Sequence, residues 1–471
     1  MSMKRSKRLA LGLVFLACTI PAGLAAQTTD DKVADLEKQI QALKAELDTI
    51  KNPPAAAPAA GAPAAVEAPP ADPLAGITGV LRGVNLTGLV DVYYQYNANN
   101  PQVGTYTEPF TSVNSQFQLN LLELQLDKPV DKTSPLGFRV ALGFGNTMNA
   151  IENSSNYGTG SDGTNTSTQY LKEGYLSYMA PIGKGLQIDA GKFVTPAGVE
   201  VIESNQNWNY TRGLLFYYAI PYYHFGVRAK YIFNDKWSVT GFATNGWNNV
   251  LSGNTGKTGG FSVAWNATKK VTLTETFLTG PRSYASFPGL YGEFGSGLST
   301  DNGSWNNLTD TVLAYNPTPK LSLAGEFDYD HQNFDSAITG SSNVGFDYTG
   351  VAAYVKYQAT PKYAFAGRYE FLNDHDGLAL GFNGGLACPY PDESCATNPN
   401  GIPLFAHNHP QEFTVTAERT FASHLISRLE YRYDYSNQNM YELGGGKGYG
   451  TGTDNQSTVD IGLIYVLQPA Q

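Results

Sequence analysis

Polar and apolar residues alternate with a period of two over most of the chain between residues 84 and 467. In 425–435, Leu429, Tyr431, Tyr433 and Tyr435 share one face, and Arg428, Glu430, Arg432 and Asp434 share the other. In 363–371, Phe365, Tyr369 and Phe371 oppose Arg368 and Glu370. Phe225, Val227, Ala229 and Tyr231 oppose His224, Gly226, Arg228 and Lys230, while Leu321, Leu323, Phe327 and Tyr329 oppose Ser322, Glu326, Asp328 and Asp330. Such alternation is the signature of a strand with two different environments on its two faces. A soluble sheet also alternates, but so many charged faces would demand a very large apolar core from few bulky aliphatic residues. Lipid outside and water inside satisfies the same pattern without that core. The pattern predicts an all-β fold: a transmembrane antiparallel β-barrel of about 16 strands.

The connections sort by parity. Tight ones (PIGKG at 181–185, NDK at 234–236, NATKK at 266–270, NPTPK at 316–320, ATPK at 359–362) alternate with long Gly-, Asn- and Ser-rich ones such as 147–168 and 280–306. In a barrel the short turns face the periplasm and the long loops face outward. Six of the seven short turns carry lysine (Lys132, Lys184, Lys236, Lys269 with Lys270, Lys320, Lys362). Tyr94, Tyr96, Trp237, Trp265, Tyr315, Tyr357 and Tyr465 fall near strand ends, where interfacial aromatic girdles sit. Two positions break phase. Within 117–127 the apolar set changes from Phe117, Leu119 and Leu121 to Leu122, Leu124 and Leu126, which predicts a bulge. Glu275 falls on the apparent lipid face of its strand, and nothing in the sequence explains it.

Ahead of the barrel, residues 1–26 read as an export signal: a basic start (Lys4, Arg5, Lys7, Arg8), an apolar stretch from Leu9 to Ile20, and small residues up to Ala26. In 30–51, Val33, Leu36, Ile40, Leu43, Leu47 and Ile50 recur at spacings of three and four. That seam predicts a short periplasmic coiled-coil helix joining protomers, with a trimer among the forms it allows. An amphipathic helix on the barrel rim or on another periplasmic partner is the alternative. Residues 52–76 form a Pro/Ala linker, and 77–471 the barrel domain.

Composition agrees with this organisation. Only 15% of residues are charged, 12% are aromatic, and the formal net charge is −10, which argues against a nucleic-acid partner. No apolar run after the signal is long enough for a transmembrane helix. With Cys18 in the signal, Cys388 and Cys395 remain as a close pair that reads as a local disulfide in an exported protein. Two unpaired thiols, or a zinc site with the nearby His407 and His409, are the alternatives.

One long connection differs from its siblings. Residues 195–222, TPAGVEVIESNQNWNYTRGLLFYYAIPY, are too apolar for a loop in water. The alternative is that part of the segment extends the strands or packs at a protomer interface; the economical expectation is that it folds into the barrel mouth or lumen and narrows it. Glu200 and Glu203 would then face solvent in the pore, with Arg212 available for pairing or for anions. The stretch from Gly191 to Tyr231, with FQLNLLELQLDKPV and GFRVALGFGN earlier in the chain, resembles the OmpL-like family of β-barrel porins. The resemblance covers most of 84–467 and implies an outer-membrane porin. General porins of this size also carry their constriction loop after the fifth strand. The chain departs from the usual aromatic terminus of such barrels, ending Tyr465-Val466-Leu467-Gln468-Pro469-Ala470-Gln471.

The expected pore lining comprises Arg139, Glu200, Glu203, Arg212, His224, Arg228, Lys230, Glu326, Asp328, Arg368, Glu370, Arg428, Glu430 and Arg432. Arg139, His224, Arg228 and Lys230 on early strands, facing Glu326, Asp328 and Asp330 on later ones, would set up a transverse field. The charges on later strands, with Glu418, could equally form a structural ladder. There is no HExxH, GxSxG or P-loop pattern, so no enzyme activity, metal or cofactor is expected. A lipid-facing Ser–His hydrolase is the enzymatic alternative, with His224 and His424 as the histidines to test. The reading is a passive channel for small hydrophilic solutes, embedded in outer-membrane lipids and homo-oligomeric. The alternative is a structural anchor with a closed lumen that binds peptidoglycan or a partner through its coiled coil.

Overall fold

Sixteen antiparallel strands close on themselves in the computed structural model. It describes residues 83–101, 105, 108–154, 168–250, 255–281, 302–334, 344–383, 407–422, 424–444 and 452–467. The strands are β1 (Asn85–Asn97), β2 (Gln116–Lys128), β3 (Leu136–Phe144), β4 (Leu171–Ala180), β5 (Leu186–Val194), β6 (Tyr223–Ile232), β7 (Trp237–Thr244) and β8 (Thr258–Thr268). The wall continues through β9 (Val271–Pro281), β10 (Trp305–Thr318), β11 (Leu321–Phe334), β12 (Val344–Thr360), β13 (Tyr363–Asn373), β14 (Gln411–Ala422) and β15 (Leu425–Tyr435). A separate ribbon of β16 (Tyr441–Glu442) and β17 (Gly452–Thr453) precedes β18 (Asn455–Leu467), which closes the barrel. Each strand pairs with its sequence neighbours, and β18 pairs with β1 from Gly88 opposite Leu467 to Asn97 opposite Thr458. Closure leaves no open edge, so the wall satisfies its own backbone groups, as a lipid environment requires.

The faces are inverted relative to a soluble protein. On β15, Leu429 is 55% exposed while the adjoining Arg428 and Glu430 are 1% exposed. Phe365, Phe413, Ile461 and Leu463 likewise point outward, and Arg368, Glu412 and Asp460 point inward. Turns of a few residues join β4 to β5, β6 to β7, β8 to β9, β10 to β11 and β12 to β13, and longer connections alternate with them. At the short-turn rim Trp237 lies opposite Trp265, with the rings stacked at 5.5 Å. Tyr315, Tyr357 and Tyr465 end their strands at the same rim.

The phase change in β2 is a bulge. Asp91 pairs with Leu121 but Val92 with Leu119, so Asn120 is the extra residue and both Asn120 and Leu121 turn inward, fully buried. A second register shift, between Ala141 and Leu142 of β3, does the same for Lys172 and Glu173 of β4. Glu275 does point outward, and its carboxylate accepts a hydrogen bond from Thr311 Oγ1 at 2.7 Å on β10. The export signal (1–26), the coiled-coil helix (30–51), the linker (52–76) and the Cys388–Cys395 pair lie outside the described residues.

Candidate functional site: the segment between the fifth and sixth strands

The connection from β5 to β6 is pinched at its neck, where Thr195 N donates to Tyr222 O at 3.0 Å. Between these ends the chain makes one 3-10 turn (Ser204–Gln206) and one π turn (Leu215–Ala219), and 209–220 is buried without a break. The apolar part, Leu214 to Ile220, packs on Phe110 of the β1–β2 connection and on Phe346, Tyr348, Leu378 and Leu380. Phe110 stacks on Tyr217 at 5.4 Å and meets Tyr222 edge-on at 5.6 Å. This accounts for the hydrophobicity that set the segment apart: its partner is the inside of its own barrel.

An irregular segment in such surroundings leaves its backbone donors and acceptors without helix or sheet partners. Inward-facing side chains of the wall supply those partners. Glu430 accepts from Tyr210 N at 2.5 Å, Thr211 N at 2.8 Å and Thr211 Oγ1 at 2.5 Å. Arg428 donates to the carbonyls of Ser204, Asn207 and Asn209 at 2.5, 2.7 and 2.9 Å, and pairs with Glu418 at 2.8 Å. Arg368 donates to Thr211 O at 2.6 Å while pairing with Glu200 and Glu412, each at 2.6 Å. Glu370 accepts from Leu215 N at 3.1 Å, and Arg432 donates to Arg212 O at 2.7 Å. From β1, Asp91 accepts from Ser204 Oγ at 2.6 Å and Tyr210 OH at 2.8 Å. The charges on β13 to β15 therefore form a socket for one backbone segment.

This placement corrects several expectations. Glu200 and Glu203 do not face solvent: Glu200 also accepts from Gly213 N at 2.6 Å, and Glu203 is bonded to Lys172. Burial pushes the Glu200 carboxyl up against the pull of Arg368. Burial alone would raise Glu203 too, but Lys172 holds it below the usual carboxylate range. Arg212 is fully buried, donates to the carbonyls of Ile202 and Tyr210, and covers the Phe110 ring at 4.9 Å. It is not presented to solutes. Glu326, Asp328, Arg368, Glu370, Arg428, Glu430 and Arg432 all point inward but are buried.

Nor do the early strands form an uncompensated positive wall. Arg139 pairs with Asp127 at 2.9 Å and Glu173 at 3.5 Å, and Arg228 pairs with Asp189 at 2.8 Å. His224 is buried between the rings of Phe193 and Phe242 with Nδ1 on Gly246 O at 3.1 Å, while Lys230 remains exposed. His424 lies beside the Tyr465 ring.

The sequence reading missed Asp91, Glu108, Lys172 and Lys192. Lys172 bridges Glu203 and Glu123, the latter at 2.5 Å. Lys192 pairs with Glu152 at 2.5 Å and sits 3.9 Å over the Tyr223 ring. A charged residue inside an otherwise apolar run, as in Leu89-Val90-Asp91-Val92-Tyr93, was the available signal.

Two loop carboxyls give the interior a pH dependence. Glu108, bonded to Gln95 at 2.9 Å, is pushed up to about 7 by burial, with Arg432 opposing. Asp374, just past β13, is also raised to about 7 by burial, although it accepts from the amides of Ala379 and Leu380. Each holds a proton in the folded state over a window where the unfolded chain has lost it. Their contribution is complete below the unfolded carboxylate range and is lost as pH rises through about 7. The apparent Tm in detergent micelles is expected to be higher near pH ~5 than near pH ~8. Glu108→Gln should flatten that slope, and a Tm rising across the window would contradict the assignment.

A closed wall with an apolar exterior, a polar interior and parity-sorted connections defines an outer-membrane β-barrel of the porin class. Residues 83–467 match the model of the family described as "Putative beta-barrel porin-2, OmpL-like", and the chain belongs to that family. Among solved structures it is similar to OmpT of Vibrio cholerae, with a TM-score of 0.50 and 11% identity over 81% of this chain and 97% of that one. It is similar also to the outer membrane channel DcaP of Acinetobacter baumannii (TM-score 0.47, 13% identity, 82% and 97% covered). The anion-selective porin from Comamonas acidovorans is another such structure (TM-score 0.48, 10% identity, 82% and 99% covered). At these identities the likeness is one of fold. Among curated proteins none matches the chain.

Proposed function

We propose that the barrel is a water-filled channel for passive diffusion of small hydrophilic solutes, narrowed by residues 195–222. The observation that carries this reading is the uneven filling of the interior. The segment packs on β1, β11 and β13 to β15, where the fixed charges are spent on its backbone. On the facing inner surface of β7 to β9, Phe242 and Leu278 join the buried apolar cluster, but toward the short turns the surface carries short side chains: Ser238, Thr240, Ser262, Thr272, Thr274 and Thr276. A small cavity lined by His224, Trp247, Leu278 and Asn306 lies on that side. Small hydroxyl residues offer exchangeable hydrogen bonds without a fixed charge, which suits weak, non-selective passage. On this reading the protein is a channel and not a catalyst, and residues 30–51 join protomers in the periplasm as a coiled coil.

The second reading, a closed barrel that anchors the envelope, draws on the same dense burial of the segment. Swelling of liposomes loaded with the full-length protein separates the two. A channel predicts swelling in neutral sugars whose rate falls steeply with sugar size. Liposomes that stay tight to even the smallest sugar would overturn the channel reading in favour of the anchor.

A further inference from the structure

The inner face where β10 meets β11 carries a negative cluster that the docked segment leaves uncompensated. Asp310 and Asp328 stand opposite each other in the strand register, and Glu326 follows two residues away on the same face. One carboxylate oxygen from each lies within 4.8 Å of the others, and all three residues are buried. Elsewhere inside the barrel Glu200 and Glu412 meet Arg368, Asp434 meets Arg432 and Glu203 meets Lys172, while Asp91 and Glu430, which form no ion pair among the described residues, each accept several hydrogen bonds. Among the described residues no lysine or arginine forms an ion pair with Asp310, Glu326 or Asp328. Buried charges left in this state are strongly disfavoured.

The orientation of the oxygens adds an independent indication. Asp328 has no exposed surface, and neither of its carboxylate oxygens has a hydrogen-bond partner; Asp310 Oδ2 has none either. The donors that reach the cluster are few. Gly198 N donates to Asp310 Oδ1 at 3.1 Å, and Val199 N and Tyr354 OH donate to Glu326 Oε2 at 3.0 and 3.2 Å. Asp310 and Glu326 are thus held in place by hydrogen bonds, while Asp310 Oδ2 and both Asp328 oxygens stay unpartnered in the same cluster.

We propose that Asp310, Glu326 and Asp328 bind one hard divalent cation, Ca²⁺ being the best fit, which ties the start of the inner segment at Gly198–Val199 to the wall. The donors are all oxygen, which disfavours zinc and copper. Ca²⁺ accepts irregular sets of about six to eight oxygens, so three carboxylates can form part of its shell with the rest supplied by water. Mg²⁺ demands a stricter octahedron and gives up its water reluctantly. The ion would neutralise the cluster and fix the root of the segment at once. The inference stands whether or not the lumen conducts.

The test uses the full-length protein in detergent, stripped with EDTA and passed into metal-free buffer. Titration with Ca²⁺ is expected to show one site per chain by calorimetry and to raise the apparent Tm. Asp328→Asn should abolish both responses while the barrel still migrates as a folded, heat-modifiable species. As a check on the unaltered protein, Tb³⁺ should bind with luminescence sensitised by Tyr354, and Ca²⁺ should displace it. The rival is a pair of protons shared within the cluster, since like charges this close need not all ionise. An apparent Tm insensitive to Ca²⁺ with no Tb³⁺ luminescence would establish that rival and overturn the site. Equal Ca²⁺ responses in the wild type and Asp328→Asn would place the ion elsewhere and overturn it too.

Discussion

Arg368→Met is expected to destabilise the folded barrel by about 3–5 kcal/mol, the usual loss when a buried ion pair is left with one member. Arg368 has no exposed side-chain surface and pairs with Glu200 from the segment and Glu412 from β14, each at 2.6 Å, and with Glu370 at 4.0 Å, besides the Thr211 carbonyl. Methionine keeps much of the volume and removes every donor. Glu412 retains Arg432 at 3.7 Å, whereas Glu200 keeps no other ion-pair partner among the described residues. The loss should therefore fall on the segment first, as faster hydrogen exchange across 200–215, and on the barrel second. Urea-driven unfolding from lipid vesicles provides the free energy. Arg368→Lys restores the charge but not the planar fork, so it should recover only part of the loss. An exposed turn residue such as Lys236 is the control, with an expected change within about 0.5 kcal/mol on truncation. A midpoint for Arg368→Met within the same limit would mean that the socket holds nothing.

The wall was legible from the sequence because lipid and lumen impose opposite demands on alternate residues. Residues 425–435 show this best: the face carrying Leu429 and Tyr431 is outside, and the face carrying Arg428 and Glu430 is inside. Even the phase break at 117–127 proved informative, since the bulge at Asn120 turns two adjacent side chains inward. The depth and partners of the inner residues were not legible. Alternation assigns a face and says nothing of what crosses the lumen to meet it. Glu430 and Thr211 are 219 positions apart, and no local pattern links them. Charges that looked like a pore lining are consumed by the segment's backbone, because a buried irregular chain must be satisfied from somewhere. Lys172 was hidden for a different reason. Only the register shift opposite Ala141 and Leu142 brings it and Glu173 to the same side.

The apolar character of 195–222 did mark the segment as one that needs a partner, and its partner is the barrel interior. Inward folding alone does not say whether Glu200 and Glu203 face pore water or the wall, and the wall holds both. In the structure Glu200 and Glu203 are anchors, each set against a cation of the wall.

The most direct test of the account is the single-channel conductance of the wild type beside a variant from which the inner segment has been excised. The neck makes the excision feasible: Thr195 and Tyr222 are already hydrogen-bonded at 3.0 Å, so a short Gly/Ser bridge between them should leave β5 and β6 in register. A sixteen-stranded barrel emptied of this segment has room for a wide aqueous lumen. Discrete openings are expected in the wild type, with unitary steps at least about twofold larger in the excised variant. Equal unitary conductance in the two proteins, with both barrels folded, would contradict the claim that residues 195–222 narrow the channel.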